Sequence, residues 1–146
     1  MKYQGYIDIH QNRKIVVAAF MNPAYLKEYQ DGFQKKEVIS GNAGEEGCVS
    51  KMHYQYANRE MVLTETIVKN QLPEYFEAFY HHEHMDNTMK VSFVEIDANT
   101  TRYNYEYEYT RLSWIMPKLI GILFPNVYRK QGEKWFQQFK TFTESL

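Results

Sequence analysis

Residues 113–146, SWIMPKLIGILFPNVYRKQGEKWFQQFKTFTESL, decide the fold. Ile120, Leu123, Phe124, Val127, Tyr128, Gln131, Trp135, Phe139 and Phe142 recur at steps of about three and four residues, the spacing of one helix face. Lys130, Glu133, Lys134, Gln137, Lys140 and Glu144 fall mostly on the other side. The pattern predicts one long amphipathic helix with Trp135 buried mid-stripe. Pro125 cannot donate to the carbonyl of Gly121, so a bend is expected between those two residues. A helix of this length needs an apolar surface to lie on, and nearly everything before it reads as strand.

The clearest strand is residues 100–112. Tyr103, Tyr105, Tyr107 and Tyr109 alternate with Asn104, Glu106, Glu108 and Thr110, one aromatic face and one wet face, as in an antiparallel sheet covered on one side. Buried tyrosine hydroxyls need partners, so this row is either packing near a rim or the wall of an enclosed, ligand-bearing space. Residues 2–10 alternate in the same way, with Tyr3, Ile7 and Ile9 on one side. Asn12 is placed to cap a short helix carrying Ile15, Val16, Ala19 and Phe20. Asn22-Pro23 opens a second short helix with Tyr25, Leu26 and Tyr29, which Asp31-Gly32 ends. Strands follow over 33–40, 48–57, 60–70, 74–82 and 88–97, separated by short connections that favour antiparallel pairing.

The fold class is therefore α+β. An antiparallel sheet of about seven strands lies against a long C-terminal helix, with two short helices after the first strand. Ile7-Asp8-Ile9 before a short helix, Ile39-Ser40-Gly41 with Glu46-Gly47-Cys48, and Phe136-Gln137-Gln138-Phe139-Lys140 through Glu144 occur in an order that resembles the START-like superfamily of polyketide cyclase/dehydrase and lipid-transport proteins (SRPBCC). The resemblance runs over the whole chain. It implies the α+β helix-grip fold, a curved antiparallel sheet of about seven strands wrapped around the long C-terminal helix with an apolar cavity between them, and it implies no particular reaction, because the catalytic members share no common triad.

With 146 residues the chain is expected to be one domain, residues 1–146. Its net charge of -1 gives no field to draw it to nucleic acid. The one cysteine, Cys48, fits a reducing compartment and reads as a small buried strand residue. The N-terminus lacks the apolar run of a signal peptide, and no stretch reaches the ~20 apolar residues of a membrane span. A cytoplasmic protein is the expectation.

Four constellations bear on chemistry. His81-His82-Glu83-His84 puts ligand types on opposite faces of a strand, whereas zinc needs three or four converging ligands; a polar hairpin end is the competing reading, and no metal is assigned. Gly41, Gly44 and Gly47 mimic a phosphate loop, but Glu45 and Glu46 sit inside it and no Lys-Ser/Thr pair follows, so a hairpin turn is expected and no cofactor. Glu65 alternates with Met61, Leu63 and Ile67. If that face is inward, a carboxylate in apolar surroundings can act as an acid/base or grip the polar end of a ligand; if Val62, Thr64, Thr66 and Val68 face inward, Glu65 is in water. Glu77, between Tyr75 and Phe79, poses the same question.

The expectation from these residues is a small hydrophobic ligand held between sheet and helix. Its lining would be Met52, Tyr54, Phe93, Tyr105, Tyr107, Leu123, Val127 and Gln131, with Glu65 among the polar groups. A cyclase, dehydratase or hydrolase using Glu65 with a tyrosine is the enzymatic alternative, with no catalytic residue assigned. A protein-interaction module of the same fold is the third and would need an exposed apolar patch. A homodimer stays open.

Overall fold

A computed structural model describes residues 1–113 and 127–146, the side chains of Val127 and Tyr128 excepted. The strands are β1 (Lys2–Ile9), β2 (Phe33–Ser40), β3 (Val49–Tyr56), β4 (Arg59–Gln71), β5 (Tyr75–His82), β6 (Met85–Asp97) and β7 (Thr100–Leu112). They form one sheet in the order β1-β7-β6-β5-β4-β3-β2, every neighbour antiparallel. Register shifts in β2/β3, β4/β5 and β6/β7 mark the bulges that let so long a sheet curve.

Helices α1 (Arg13–Met21) and α2 (Leu26–Tyr29) follow β1, joined by a single turn of 3-10 helix at Pro23–Tyr25. The expected caps are in place. Asn12 accepts from the Lys14 N–H at 2.8 Å and Asn22 from the Ala24 N–H at 3.0 Å. Val16 and Ala19 of α1 are buried, and Phe20 meets Phe76, Phe93, Tyr103 and Phe139 edge-on, with ring centroids 5.3–6.4 Å apart. This ring cluster closes one end of the space inside the sheet.

The C-terminal helix α3 (Val127–Glu144) lies along the concave face. Its C-terminal end is tied to the turn after β1: Glu144 accepts from the His10 N–H at 2.7 Å, and the Gln11 side chain donates to the Thr143 carbonyl at 3.2 Å. The expected stripe is turned by about one residue. Phe136, Phe139 and Thr143 are buried, Gln131 is exposed and Trp135 is half-buried. On the same face, a Cβ at Gly132 would lie 2.7 Å from the Tyr3 hydroxyl, so glycine there leaves the Tyr3 side chain of β1 room against the helix. One turn later the Phe136 ring stacks on Tyr105 with centroids 3.9 Å apart. The expected helical turns before Val127, and the bend between Gly121 and Pro125, lie outside the described residues.

Candidate functional site

Between the sheet, α3 and the α1–α2 segment is a cavity of about 730 Å³, within the range of small-molecule sites. Cross-strand register arranges its floor. Tyr109, Asn87, Tyr80, Glu65, Ser50 and Val38 are successive partners across β7, β6, β5, β4, β3 and β2, and all six border the cavity. The adjacent row, Tyr107, Met89, Ala78 and Ile67, is mainly apolar. A polar stripe therefore crosses an otherwise apolar wall.

Glu65 is the centre of that stripe. It is 5% exposed, so Met61, Leu63, Glu65 and Ile67 are the inward set, while Val62 and Val68 face solvent at 38% and 49%. Lys36 of β2 reaches across β3 and puts its Nζ 2.7 Å from Glu65 Oε1. The Tyr80 hydroxyl donates to Glu65 Oε2 at 2.7 Å. Each carboxylate oxygen thus has one strong partner, as a buried charge requires. Burial, then the charge of Glu65, pushes the Tyr80 hydroxyl well above the ordinary tyrosine range. Burial does the same to Tyr29, Tyr54, Tyr103 and Tyr107, so all five are neutral donors at neutral pH.

Some of these donors are already engaged. Tyr54 donates to Gln30 Oε1 at 2.7 Å and Tyr107 to Met89 Sδ at 2.9 Å. The hydroxyls of Tyr29 and Tyr103 and the amide of Asn87 border the cavity with no protein partner among the described residues. Trp135 lies beside Tyr54, near-parallel with centroids 6.0 Å apart, and its buried Nε1–H is also unpartnered there. Lys36 and Glu65 are the only charged side chains on the wall among the described residues.

Of the residues expected to line a cavity, Met52, Tyr54, Glu65, Tyr107 and Gln131 border it, Gln131 as an exposed residue. Phe93 and Tyr105 do not. Phe93 is locked in the closed end against Tyr103, with centroids 4.7 Å apart, and Tyr105 lies flat under Phe136. Leu123 and the side chain of Val127 lie outside the described residues. Glu77 faces away from the cavity and accepts a hydrogen bond from Tyr75 at 3.1 Å. The histidine run forms the β5–β6 hairpin, where His81 pairs with Asp86 at 2.6 Å; among the described residues no three His, Cys, Asp or Glu side chains are placed to hold a metal.

Lys36, Tyr80, Asn87 and Trp135 are wall residues that pattern reading did not place there. Lys36 stands in Gln34-Lys35-Lys36-Glu37, which reads as a solvated edge strand. Only the position of Glu65 two strands away gives it an inward partner.

No family model and no curated protein matches this sequence. Solved structures do match in fold. The ZhuI aromatase/cyclase of Streptomyces sp. R1128 aligns with a TM-score of 0.79 at 10% identity, over 99% of this chain and 93% of that one. A START superfamily protein from Mycobacterium smegmatis aligns at 0.78 and 7% identity, over 99% and 97%. Ara h 8.0201 aligns at 0.77 and 10% identity, over 100% and 99%. The chain has the START-like helix-grip fold. No described helix is long and apolar enough to cross a membrane.

Proposed function

We propose that the protein binds a small hydrophobic molecule in the cavity between the sheet and α3. The observation that carries this reading is the cavity itself: about 730 Å³, walled by aromatic and methionine side chains, with unengaged hydroxyls and an amide facing it. Polar groups that face the cavity without a protein partner among the described residues are free to bond a ligand with matching groups. The fold relatives support the reading at the level of architecture. The aromatase/cyclase among them keeps a catalytic alternative in view, with Glu65 and Tyr80 as its acid–base pair 2.7 Å apart. Both oxygens of Glu65 are held, by Lys36 and by Tyr80, which favours a positioning role over proton transfer.

The test is uptake of N-phenylnaphthylamine, a neutral fluorophore that brightens in apolar surroundings. One equivalent should bind at micromolar concentration, and native mass spectrometry of freshly purified protein should show a bound small molecule. Tyr107→Trp should keep the fold and weaken the probe by filling the space. Absence of probe uptake, with no bound molecule in the mass spectrum, would overturn the reading.

A further inference from the structure

We infer that the cavity selects neutral, oxygen-bearing ligands and rejects both carboxylates and ammonium ions, and that the Lys36–Glu65 pair is the selector. This rests on the binding reading above and adds the ligand's chemical class to it.

The argument starts from charge. A cavity for a fatty acid or other organic anion needs a cation with no internal partner. Here the cation on the described wall, Lys36, is held 2.7 Å from Glu65 Oε1, and Glu65 is the only described wall anion. The pair therefore neutralises itself. An entering carboxylate would have to compete with Glu65 for Lys36 and then lie beside the displaced charge in a low-dielectric space, which is costly. An entering ammonium would meet Glu65 already engaged by Lys36 and by the Tyr80 hydroxyl. Neither sign of ligand charge finds a vacancy among the described wall residues.

Neutral oxygen does. Lys36 has three N–H donors and Glu65 uses one, so a ligand carbonyl or hydroxyl can take another without disturbing the pair. The unengaged hydroxyls of Tyr29 and Tyr103 and the Asn87 amide offer further donors and acceptors around the same cavity. The position of the pair also makes the selection asymmetric to mutation. The Lys36 side chain is 24% exposed and that of Glu65 is 6% exposed, so the lysine reaches solvent and the carboxylate does not. Removing the charge of Glu65 leaves a wall cation without its carboxylate partner, which is what an anion site requires.

The experiment is displacement of N-phenylnaphthylamine at neutral pH by matched ligands: decanol, decanoate and decylammonium on an aliphatic skeleton, and acetonaphthone and naphthoate on an aromatic one. The quantity read is the ratio of acid to neutral affinity, which for each skeleton cancels its common contribution when variants are compared. In the wild type the neutral member should bind at least about tenfold more tightly than either ion. Glu65→Gln should shift the acid-to-neutral ratio toward the acid by about tenfold or more on both skeletons, and Lys36→Met should shift it the other way. If Glu65→Gln does not fold, the Lys36→Met shift and the wild-type preference decide. A wild type that takes up the probe and prefers decanoate, or variants that leave the ratio unchanged, would overturn this inference while leaving the binding reading intact. A wild type that takes up no probe would overturn both.

Discussion

The two ends of the space under α3 are built on the same sheet and the same helix, and they are filled differently. At the closed end Phe20, Phe76, Phe93, Tyr103 and Phe139 meet ring to ring, with Ile9 and Val16 completely buried beside them. At the open end the inward positions are Lys36, Ser50, Glu65, Tyr80 and Asn87, facing a cavity. The difference lies in which elements supply a plug. Helix α1 inserts Val16, Ala19 and Phe20 into the closed end, so apolar strand residues there find apolar partners. The strands that run on past α1 keep polar inward residues, and those residues satisfy one another across the sheet where they can. The sheet curvature makes the enclosure; the local choice of side chains decides whether it is solid.

The largest expected effect is a response to alkaline pH that both ends share. Tyr29, Tyr54, Tyr80, Tyr103 and Tyr107 are all pushed up, chiefly by burial. The folded state therefore holds these protons more tightly than the unfolded chain, in which tyrosine ionises near pH ~10. The stabilisation is complete below that pH and is lost as pH rises through it toward the folded values, at up to ~1.4 kcal/mol per pH unit for each tyrosine. Phenolate absorbance should rise together with the loss of circular dichroism. Ionisation of Tyr54, Tyr80 or Tyr107 ahead of unfolding, seen as a difference against the matching Tyr→Phe variant, would show that the open end admits water freely and would break the comparison on that side.

Second in size is a pair of truncations on α3. Phe139→Ala, at the closed end and 2% exposed, should cost ~3–5 kcal/mol in denaturant melts. Trp135→Ala should cost only ~1–2 kcal/mol, because part of that ring already borders the cavity and less of it is embedded in packed neighbours. Equal losses at the two positions would mean that Trp135 is packed as in a solid core.

How much of this was legible in the sequence follows the same division. The seven strands, both asparagine caps and the closing helix come from period and capping chemistry, which are local signals. The helix face was less secure, because Trp135 and Phe136 are adjacent aromatics and either can lead an apolar stripe. Gly132 lies one turn before Phe136 and faces the Tyr3 hydroxyl, a contact more than a hundred positions away in sequence that helical spacing alone does not reveal. Glu65 was ambiguous because both faces of β4 carry apolar residues, Leu63 and Ile67 inward and Val62 and Val68 in solvent. Its partners stand on β2 and β5, and cross-strand register is not written in either strand alone. Phe93 and Tyr105 were expected on the cavity wall because alternation gives the face of a residue and not its distance along the cavity.

The ion pair gives the third prediction. Lys36→Met leaves Glu65 buried without its cation and should cost about 2 kcal/mol, below the usual figure for a fully buried pair because Lys36 is partly exposed. Glu65→Gln should cost less than about 1 kcal/mol, since the glutamine keeps a group for Tyr80 to donate to and the lysine can turn outward to water. Denaturant melts of the two variants and of the double variant form a cycle. A larger loss for Glu65→Gln than for Lys36→Met would mean that the lysine, not the carboxylate, is the trapped charge.

The smallest effect is expected where the two ends meet. The Tyr103 ring packs on Phe93, Phe136 and Phe139, yet the residue also borders the cavity and its hydroxyl has no protein partner among the described residues. Tyr103→Phe keeps the ring contacts and removes only that hydroxyl. Deleting an unpaired polar group is close to neutral, so stability should change by less than about 0.5 kcal/mol, and a small gain is as compatible as a small loss. Tyr107→Phe is the control, because it removes a hydroxyl engaged with Met89 Sδ and should lose somewhat more. The sharper readout is binding. Tyr103→Phe should leave the affinity for N-phenylnaphthylamine unchanged and weaken an oxygen-bearing competitor such as acetonaphthone by a few-fold, roughly the worth of one hydrogen bond. A loss of stability above ~1 kcal/mol would instead show that the Tyr103 hydroxyl is tied into the closed end, and that the boundary between packed core and cavity lies nearer to Tyr107.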